Sequence, residues 1–453
     1  INLATSLGSS LVETLYVLDE PSIGLHERDN ALVIRILKQL RDLGNTVIVV
    51  EHDRQMIEMA DWVIDLGPKG GEKGGEIVFQ GGFEKLLESD SLTGKYLSGR
   101  ESVKPPGRCR EIQDGFNIRI RGALCHNLKQ VDVDIPLGCF TVLTGVSGSG
   151  KSTLVYDVLY KNYQRFRGRP EQDVGDVRSI TGWEGLEDIL LVDQSPIGRT
   201  PRSCPVTYVK AFDPIRRLFA GAEGARRRGL GPADFSFNVE GGRCEECEGS
   251  GKIKVEMHFL ADLYVQCDRC EGKRYQDRVL EIAYRGKSIH DVLQMTVEEA
   301  VRFFADQPEL VARLAVLRDV GLGYLRLGQS AVTLPAGEAQ RMKLALEMSD
   351  AGKGKILYLF DEPTTGLHYD DIRLLLVSFW KLLDRGHSIL AIEHNMEVIR
   401  NAHYVVDLGP EGGEDHARSD LRRAALVRHR GRRPGVARIR SDHRPLGEVL
   451  RHR

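Results

Sequence analysis

The residues with the most recognisable chemistry form a glycine-rich loop that ends in a lysine and a hydroxyl side chain. The loop Gly145–Ser152 (GVSGSGKS) follows a β-rich apolar run and precedes an apolar helical stretch from Thr153 to Tyr160. A phosphate loop requires this strand–loop–helix context, whereas an ordinary glycine-rich turn has no such requirement. Backbone N–H groups at a helix N-terminus can wrap phosphate oxygens, Lys151 can reach the β- and γ-phosphates, and Ser152 can ligate Mg²⁺. The predicted phosphate and Mg²⁺ contacts are Gly145, Ser147, Gly148, Gly150, Lys151, Ser152 and Thr153.

A pair of carboxylates follows a second apolar run, Lys355–Phe360, which reads as a buried strand. Beside a phosphate loop, Asp361 can hold the Mg²⁺ shell while Glu362 polarises the attacking water. His394 follows a third apolar run, Ser388–Ile392, and could contact the γ-phosphate. A single histidine after a strand is most often structural, but a recurrence elsewhere in the chain favours the functional interpretation.

The same segment occurs twice. Leu15–His26 returns 342 residues later as Leu357–His368, and at the same offset Glu51-His52 matches Glu393-His394. A repeat of this length describes architecture, and here it predicts two copies of one nucleotide-binding fold. Asp19, Glu20 and His52 are then the first-copy counterparts of Asp361, Glu362 and His394.

Alternating strands and helices in both copies predict an α/β fold with a parallel core. We expect residues 1–98 to form the closing half of a first module, and residues 99–114, with Pro105-Pro106, to form a linker. The second module should run from 115 to 414. The composition, with 41% hydrophobic and 28% charged residues, is that of a globular protein, and no apolar stretch is long enough to span a membrane. We therefore expect a cytoplasmic protein without a membrane partner.

Four of the eight cysteines form two Cys-x-x-Cys pairs inside the second module. The spacing C-x₂-C-x₁₉-C-x₂-C suits four thiolates around one Zn²⁺, and it favours a structural metal over a redox pair. The predicted ligands are Cys244, Cys247, Cys267 and Cys270, within a zinc-binding insertion at about 240–275. The other cysteines (Cys109, Cys125, Cys139 and Cys204) belong to no motif and read as ordinary thiols.

The phosphate loop, the Asp-Glu pair and the later histidine together resemble an ABC-type ATPase. Gln194, which follows a strand, matches the glutamine that this family also has. More narrowly, the runs 193–203 (DQSPIGRTPRS), 235–238 (FSFN) and 255–260 (VEMHFL) resemble the UvrA family, the damage-sensing subunits of the bacterial UvrABC excinuclease. The resemblance implies a dimeric, cytoplasmic DNA-binding ATPase of nucleotide excision repair that uses ATP, Mg²⁺ and Zn²⁺. It also implies damaged double-stranded DNA and UvrB as partners.

In that family each ATP site pairs one module's phosphate loop with the signature segment of the other module. The resemblance assigns Gln194, Glu362 and His394 to catalysis at one site and Glu20 and His52 to the other. It assigns Asp361, Asp19 and Gly337 to nucleotide or Mg²⁺ binding.

The signature segment 334–341 departs from the family pattern Leu-Ser-Gly-Gly-Glu. It reads Leu-Pro-Ala-Gly-Glu, so Pro335 replaces the serine and offers neither a hydroxyl nor an N–H. We expect weakened contact with the opposing γ-phosphate, and a sequence error or a catalytically impaired UvrA-like relative are the alternatives.

The two ends also depart from the repeat. Residue 1 aligns with Met342, so the first copy lacks its phosphate loop and signature, and the chain reads as a C-terminal fragment. After Glu414 the second copy gives way to residues 415–453, which carry twelve Arg, no Lys and four acidic residues. A solvated nucleic-acid arm and a shifted reading frame are the two interpretations of this aberrant or disordered tail.

Apart from the tail, the chain carries excess negative charge, so nucleic-acid contact must come from local basic patches. The candidates for phosphate contacts in DNA are Arg199, Arg202, Lys210, Lys252 and Lys254. Two other functional classes fit parts of the sequence: the motor of an ABC transporter, and a DnaJ-type zinc module. The zinc pairs argue against the first class and the phosphate loop argues against the second.

Overall fold

The computed structural model describes residues 12–22, 27–68, 74–103, 115–193, 195, 197–198, 202–255, 263–349 and 354–409. Gln194, Arg199 and the tail 415–453, which the sequence analysis singled out, lie outside the described residues. The strands are β1 Leu15–Asp19, β2 Thr46–Val50, β3 Val63–Gly67, β4 Glu76–Gly81, β5 Asn117–Ala123, β6 Val131–Pro136, β7 Phe140–Thr144, β8 Ser179–Thr181, β9 Asp188–Val192, β10 Lys252–Val255, β11 Leu263–Gln266, β12 Ala283–Tyr284, β13 Lys287–Ser288, β14 Ile356–Asp361, β15 Ser388–Ile392 and β16 Tyr404–Asp407.

The helices include two short irregular ones. The first, Thr153–Tyr160, is wound with π-type hydrogen bonds, and the second is the 3₁₀ turn Ala331–Thr333. The helices are α1 Glu27–Asp42, α2 Arg54–Glu58, α3 Phe83–Glu88, α4 Leu92–Leu97, α5 Thr153–Tyr160, α6 Lys161–Phe166, α7 Pro205–Tyr208, α8 Phe212–Ala220, α9 Glu223–Arg227, α10 Asp277–Leu280, α11 Ile289–Gln294, α12 Val297–Phe303, α13 Pro308–Asp319, α14 Ala336–Ser349, α15 Tyr369–Asp384 and α16 Met396–Asn401.

The second copy is built on a five-stranded parallel sheet in the order β16-β7-β15-β14-β9. All five residues of β15, and the first five of β14, are buried, as expected for strands covered on both faces. Because every strand is parallel, the residues that follow β7, β14 and β15 meet at one edge of the sheet. That edge carries the phosphate loop, Asp361-Glu362 and His394.

One face of this sheet is covered by α15, an amphipathic helix whose apolar side chains fall at helical spacing. Its Phe379 ring lies 4.6 Å from the Phe360 ring and 5.3 Å from the Phe140 ring. Burying side chains of this size contributes about 1.5–3 kcal/mol each, which fixes the helix on the sheet. The other face carries α5 and the antiparallel sheet β6-β5-β8, which share a second core.

The first copy keeps the same local pieces but not the same sheet. β1 pairs with β2 in parallel, and β3 pairs with β4 in antiparallel fashion. In the second copy β7 lies between β15 and β16, the counterparts of β2 and β3. Among the described residues, no strand stands between β2 and β3.

A helical insertion with a small hairpin separates β9 from β14. The helices α7 to α14 share the larger core with α15, while β10 and β11 form an antiparallel hairpin above the four cysteines. Serine and threonine caps start α11 and α12, where Ser288 and Thr296 form capping boxes with Asp291 and Glu299. Within the described residues, no helix has the length and apolar character needed to cross a membrane. The predicted α/β class, with a cysteine-bearing insertion in the second copy, is confirmed.

Candidate functional site: a phosphate loop and its carboxylates

The phosphate loop lies between β7 and α5 and is closed around its lysine. Lys151 is 7% exposed, and its Nζ donates to the carbonyl oxygens of Gly145 and Val146 at 2.9 Å each. Ser147, Gly148 and Ser152 are exposed at the loop surface. An ammonium held by its own loop carbonyls is placed to exchange those contacts for phosphate oxygens.

Two of the glycines permit close approach by neighbouring segments. At Gly145 (φ 140°) a Cβ would lie 2.1 Å from the carbonyl oxygen of Leu408, and at Gly150 (φ 96°) it would meet the Asn127 side chain at 2.8 Å. Asn127 also donates from Nδ2 to the Gly148 oxygen at 2.5 Å. The sequence analysis did not identify Asn127, which lies in the turn after β5 and contacts the phosphate loop.

Asp361 ends β14 directly beside the loop. Burial raises the pKa of this carboxyl, while a hydrogen bond from the Tyr156 hydroxyl and the charge of Lys151 act in the opposite direction. Tyr156 lies on α5, so the helix that follows the phosphate loop also orients the carboxylate. A carboxylate in this position can hold the Mg²⁺ of a bound nucleotide.

Glu362 and His394 face each other across the ends of β14 and β15. Glu362 Oε1 lies 3.6 Å from His394 Nε2, and both side chains are largely buried. Burial, with added repulsion from Asp361 and Glu393, raises the pKa of Glu362 to about 7. A carboxylate with this pKa is matched to accepting a proton near neutral pH.

Glu393, which precedes the histidine, acts as an anchor that sequence reasoning did not assign. Its carboxylate accepts hydrogen bonds from the Thr364 N–H (2.9 Å), the Thr364 hydroxyl (2.6 Å), the His394 N–H (2.9 Å) and the Asn395 N–H (3.1 Å). It therefore ties the loop after Glu362 to the segment that carries His394. The recurrence of Glu before His was the available signal.

The first copy repeats this local geometry. Glu51 accepts from the N–H groups of Ser22, His52 and Asp53 at 2.9, 3.0 and 3.2 Å. The residue after the strand has positive φ in both copies, 42° at Glu20 and 44° at Glu362. Burial raises the pKa of Glu20, and the charges of Asp19 and Glu51 add to that effect.

The two copies meet at the loop that follows Glu362. A Cβ on Gly366 would lie 2.9 Å from Glu20 Oε1, and the His52 and His368 rings are 6.4 Å apart. His368 Nδ1 accepts from the Asp370 N–H, so its Nε2 faces the Thr93 hydroxyl at 3.2 Å. The structure thus brings Asp19, Glu20 and His52 together at the end of β1 and β2, against the second copy.

The signature segment lies at the start of α14. Polar side chains of this helix bond the ends of the strands that carry the site. Gln340 Nε2 donates to the terminal carbonyls of β9 and β14, at Val192 (2.9 Å) and Asp361 (3.0 Å). Lys343 is ion-paired with Asp193, beside the Gln194 position. Gly337 is buried, and a Cβ there would lie 2.8 Å from the Thr365 oxygen. Neither Gln340 nor Lys343 was found from the sequence.

The four cysteines of the insertion form a buried cluster. Their sulfur atoms all lie within 4.8 Å of one another, with Cys244–Cys267 at 4.0 Å and Cys247–Cys270 at 3.6 Å. A tetrahedral site with metal–sulfur bonds of about 2.3 Å has sulfur–sulfur edges of roughly 3.8 Å. The Gly251 N–H points at the Cys247 sulfur at 3.3 Å, a contact that stabilises a thiolate. The donor set therefore fits zinc.

The basic candidates lie on and around this insertion. Lys252 and Lys254 are exposed on one face of β10, while Ile253 packs against the cysteine cluster from the other face. Arg202 is ion-paired with Glu248 at 2.7 Å. Lys210 is exposed, and its backbone carbonyl accepts from Arg313.

Comparison with known proteins agrees with these features, although no family model matches the chain. UvrABC system protein A of Aquifex aeolicus is 56% identical over 415 residues, which are 91% of this chain and 45% of that protein. The protein of the same name from Escherichia coli K12 is 54% identical over 91% of this chain and 44% of its own length. The crystal structure of UvrA2 from Deinococcus radiodurans matches with a TM-score of 0.86 and 46% identity, over 92% of this chain and 50% of that one.

The chain thus spans about half the length of the relatives that it matches. The sequence identity extends over 415 residues, and the structural match covers 92% of this chain. By sequence and by fold, this chain belongs to the UvrA family.

Proposed function

We propose that this chain supplies the second nucleotide-binding module of a DNA-binding ATPase of nucleotide excision repair. The observation that carries the proposal is the convergence of Lys151, Asp361, Glu362 and His394 at one edge of the parallel sheet, in a chain 54–56% identical to UvrABC system protein A. The second module then binds ATP and Mg²⁺ through the phosphate loop and Asp361.

Each of four residues then has one role in ATP hydrolysis at this site. Glu362, with a pKa raised to about 7, accepts the proton of the attacking water. His394, held by the Glu393 anchor and 3.6 Å from Glu362, is assigned to the γ-phosphate. Gln194, which follows Asp193 in the sequence, and Thr153, at the start of α5, are assigned to the shell around Mg²⁺ and the water.

The first copy requires a further strand and phosphate loop to become a second site. The second copy has β7 between β15 and β16, whereas the counterparts β2 and β3 leave this position open among the described residues. Ile48 and Ile64 expose 49% and 59% of their surface on these strands, as uncovered sheet positions would. We propose that another part of the full-length protein fills this position and makes Glu20 and His52 functional.

We also propose that Cys244, Cys247, Cys267 and Cys270 hold one structural Zn²⁺. With four thiolates the metal has no open position, so its role is to fold the insertion. The hairpin that it supports carries Lys252 and Lys254 as exposed side chains, and Lys210 and Arg202 are the other described basic candidates. These groups, with Arg199, are proposed to contact the phosphates of damaged DNA, which is sensed through its shape and deformability.

The remaining assignments follow from the family and apply to the full-length protein. They are assembly as a homodimer, delivery of UvrB to DNA, and a cytoplasmic location.

The test is reconstitution with the half that this chain does not cover. The N-terminal part of the Aquifex aeolicus relative would be joined to residues 1–414, and ATP hydrolysis would be measured with intact and lesion-bearing duplexes. We expect hydrolysis that depends on Lys151 and tighter binding to the lesion-bearing duplex. Equal affinity for both duplexes would contradict the repair function, and hydrolysis unaffected by Lys151→Ala would contradict the proposed site.

A further inference from the structure

Three side chains of different metal-binding types meet outside both the phosphate site and the cysteine cluster. Cys125 Sγ lies 3.5 Å from His126 Nδ1, and that nitrogen lies 3.8 Å from Asp157 Oδ2. All three donor atoms fall within 4.8 Å of one another. Neither the family resemblance nor the nucleotide chemistry gives these residues a role.

The distances match those expected around a tetrahedral metal ion. With bonds of about 2.3 Å to sulfur and about 2.0–2.1 Å to nitrogen and oxygen, the sulfur–nitrogen edge is roughly 3.5 Å and the nitrogen–oxygen edge roughly 3.4 Å. The observed sulfur–nitrogen distance of 3.5 Å equals the expected one, and the observed nitrogen–oxygen distance of 3.8 Å is a few tenths of an ångström longer than expected. We propose that Cys125, His126 and Asp157 form a second divalent-metal site, with the chemistry of Zn²⁺ and one position open to water.

Two separate elements build the site, so it exists only in the folded chain. Cys125 and His126 lie in the turn between β5 and β6, directly after the bridge between Leu124 and Asp176. His126 has φ 47°, and its ring nitrogen Nδ1 faces Asp157 of α5 at 3.8 Å. Asp157 projects from α5, the helix that follows the phosphate loop.

The charged groups around the trio are two carboxylates, Asp157 and Asp176, and one ammonium, Lys161. Lys161 Nζ binds Asp157 Oδ1 at 2.7 Å, which orients the carboxylate and leaves Oδ2 toward His126. Burial and the charges of Asp157 and Asp176 raise the pKa of the Cys125 thiol, and the Lys161 ammonium opposes that effect. A bound divalent ion would lie against the negative charges of a thiolate and a carboxylate. Without an ion, the exposed His126–Asp157 pair contributes little to stability.

The position of the site links it to the phosphate loop. Asn127, the next residue after His126, donates to the Gly148 oxygen. A metal that joins the 125–126 turn to α5 would hold this turn against the loop. Metal and nucleotide should then change each other's affinity by the same factor, because binding linkage is reciprocal.

The test is a metal titration of the full chain. Apo-protein would be titrated with Zn²⁺ against a chromogenic chelator, and with Co²⁺ to read the number of thiolate ligands from its absorption. We expect two classes of site: a tight one with four thiolates, and a weaker one with a single thiolate. Cys267→Ser should remove only the tight class.

His126→Ala is the main variant, because the His126 side chain is 69% exposed and its loss should leave the fold intact. We expect the affinity of the weaker class to fall roughly 100-fold or more, since even loss of an outer-shell partner costs 10–100-fold. Cys125→Ser should act in the same way. Asp173→Asn is the matched control, because Asp173 is an exposed carboxylate that also faces Lys161 but lies outside the trio.

Two results would overturn the proposal. One is a single metal equivalent in the unchanged chain, and the other is a weaker class that survives both His126→Ala and Cys125→Ser. Loss of the weaker class in Asp173→Asn would assign the effect to general negative charge and would also count against the site.

Discussion

Glu362 Oε1 lies 3.6 Å from His394 Nε2, at the ends of two adjacent parallel strands. This contact joins the proposed base to the residue proposed for the γ-phosphate. Because Glu393 bonds the loop after Glu362 and the backbone of His394 at once, the pair cannot separate without breaking buried hydrogen bonds. The relative position of Glu362 and His394 is therefore fixed by the edge of the sheet.

The raised pKa of Glu362 predicts a pH-dependent stability. Its ordinary value of 4.5 rises to about 7 in the folded chain, chiefly through burial. Between these two values the folded state binds more protons than the unfolded state, so the contribution of Glu362 is present at low pH and is lost as pH rises through about 7. Relative to Glu362→Gln, the unchanged chain should lose stability from pH 5 to pH 8. Urea unfolding of both proteins at each pH measures the difference, and a flat difference would contradict the assigned pKa.

Replacement of Glu393 by Gln should strongly destabilise the chain. The carboxylate is buried and accepts four hydrogen bonds, three of them from backbone N–H groups. In Gln one acceptor oxygen becomes an NH₂ group that faces donors, which should cost about 3 kcal/mol. The free energy of unfolding from urea denaturation measures this cost.

The matched control for that experiment is Glu298→Gln. Glu298 pairs with Arg302 on the surface of α12, and such exposed pairs contribute about 0.5 kcal/mol or less. If Glu393→Gln and Glu298→Gln changed stability equally, Glu393 would not be the anchor described.

Lys151→Ala should remove nucleotide binding at the phosphate loop. The Lys151 ammonium is the only side-chain cation among the loop residues 145–152, and its charge-assisted bonds to phosphate are worth about 1.5–3 kcal/mol each. We expect affinity for a fluorescent ATP analogue to fall roughly 100-fold or more. Lys287→Ala, on the exposed β12–β13 hairpin, should bind as the unchanged chain does. Equal affinities in the two variants would place the nucleotide elsewhere.

The sequence predicted those parts of the site that depend on local pattern. Apolar runs marked β7, β14 and β15, and the motifs that follow them placed Lys151, Asp361 and His394 at strand ends, because parallel strands meet at one edge. The residues it missed act across the fold. Gln340 and Lys343 bond residues 148 and 150 positions away, and no periodicity in either segment reports such contacts.

The turn after β5 illustrates the same limit. Cys125 read as an ordinary thiol because no motif includes it, and its neighbour Asp157 lies on a different element. Only the packing of α5 against the β5–β6 turn places the two side chains together. Residues brought together by topology alone leave no spacing signal in the chain.

The signature segment gives the last prediction. Pro335 immediately precedes α14, where its carbonyl accepts the Ala339 N–H at 3.0 Å, so the helix starts normally without the serine of the family pattern. Compared with the family pattern, the segment lacks the serine hydroxyl at position 335 and the glycine at position 336 that lets the backbone come close. In the family pattern both would face a γ-phosphate across the module interface. In the reconstituted protein, Pro335→Ser combined with Ala336→Gly should therefore raise the rate of ATP hydrolysis at least roughly tenfold, since one hydrogen bond to a charged group is worth about 1.5–3 kcal/mol.

The comparison needs a variant that loses a proline at a helix start without touching the signature. Pro308→Ser provides it, because Pro308 occupies the first turn of α13. Its rate should equal that of the unchanged protein when steady-state hydrolysis is measured at saturating ATP. If the Pro335 variant were no faster than the Pro308 variant, the γ-phosphate contact would not depend on the residues at positions 335 and 336. Gly337 and the N-terminal N–H groups of α14 would then suffice for the contact.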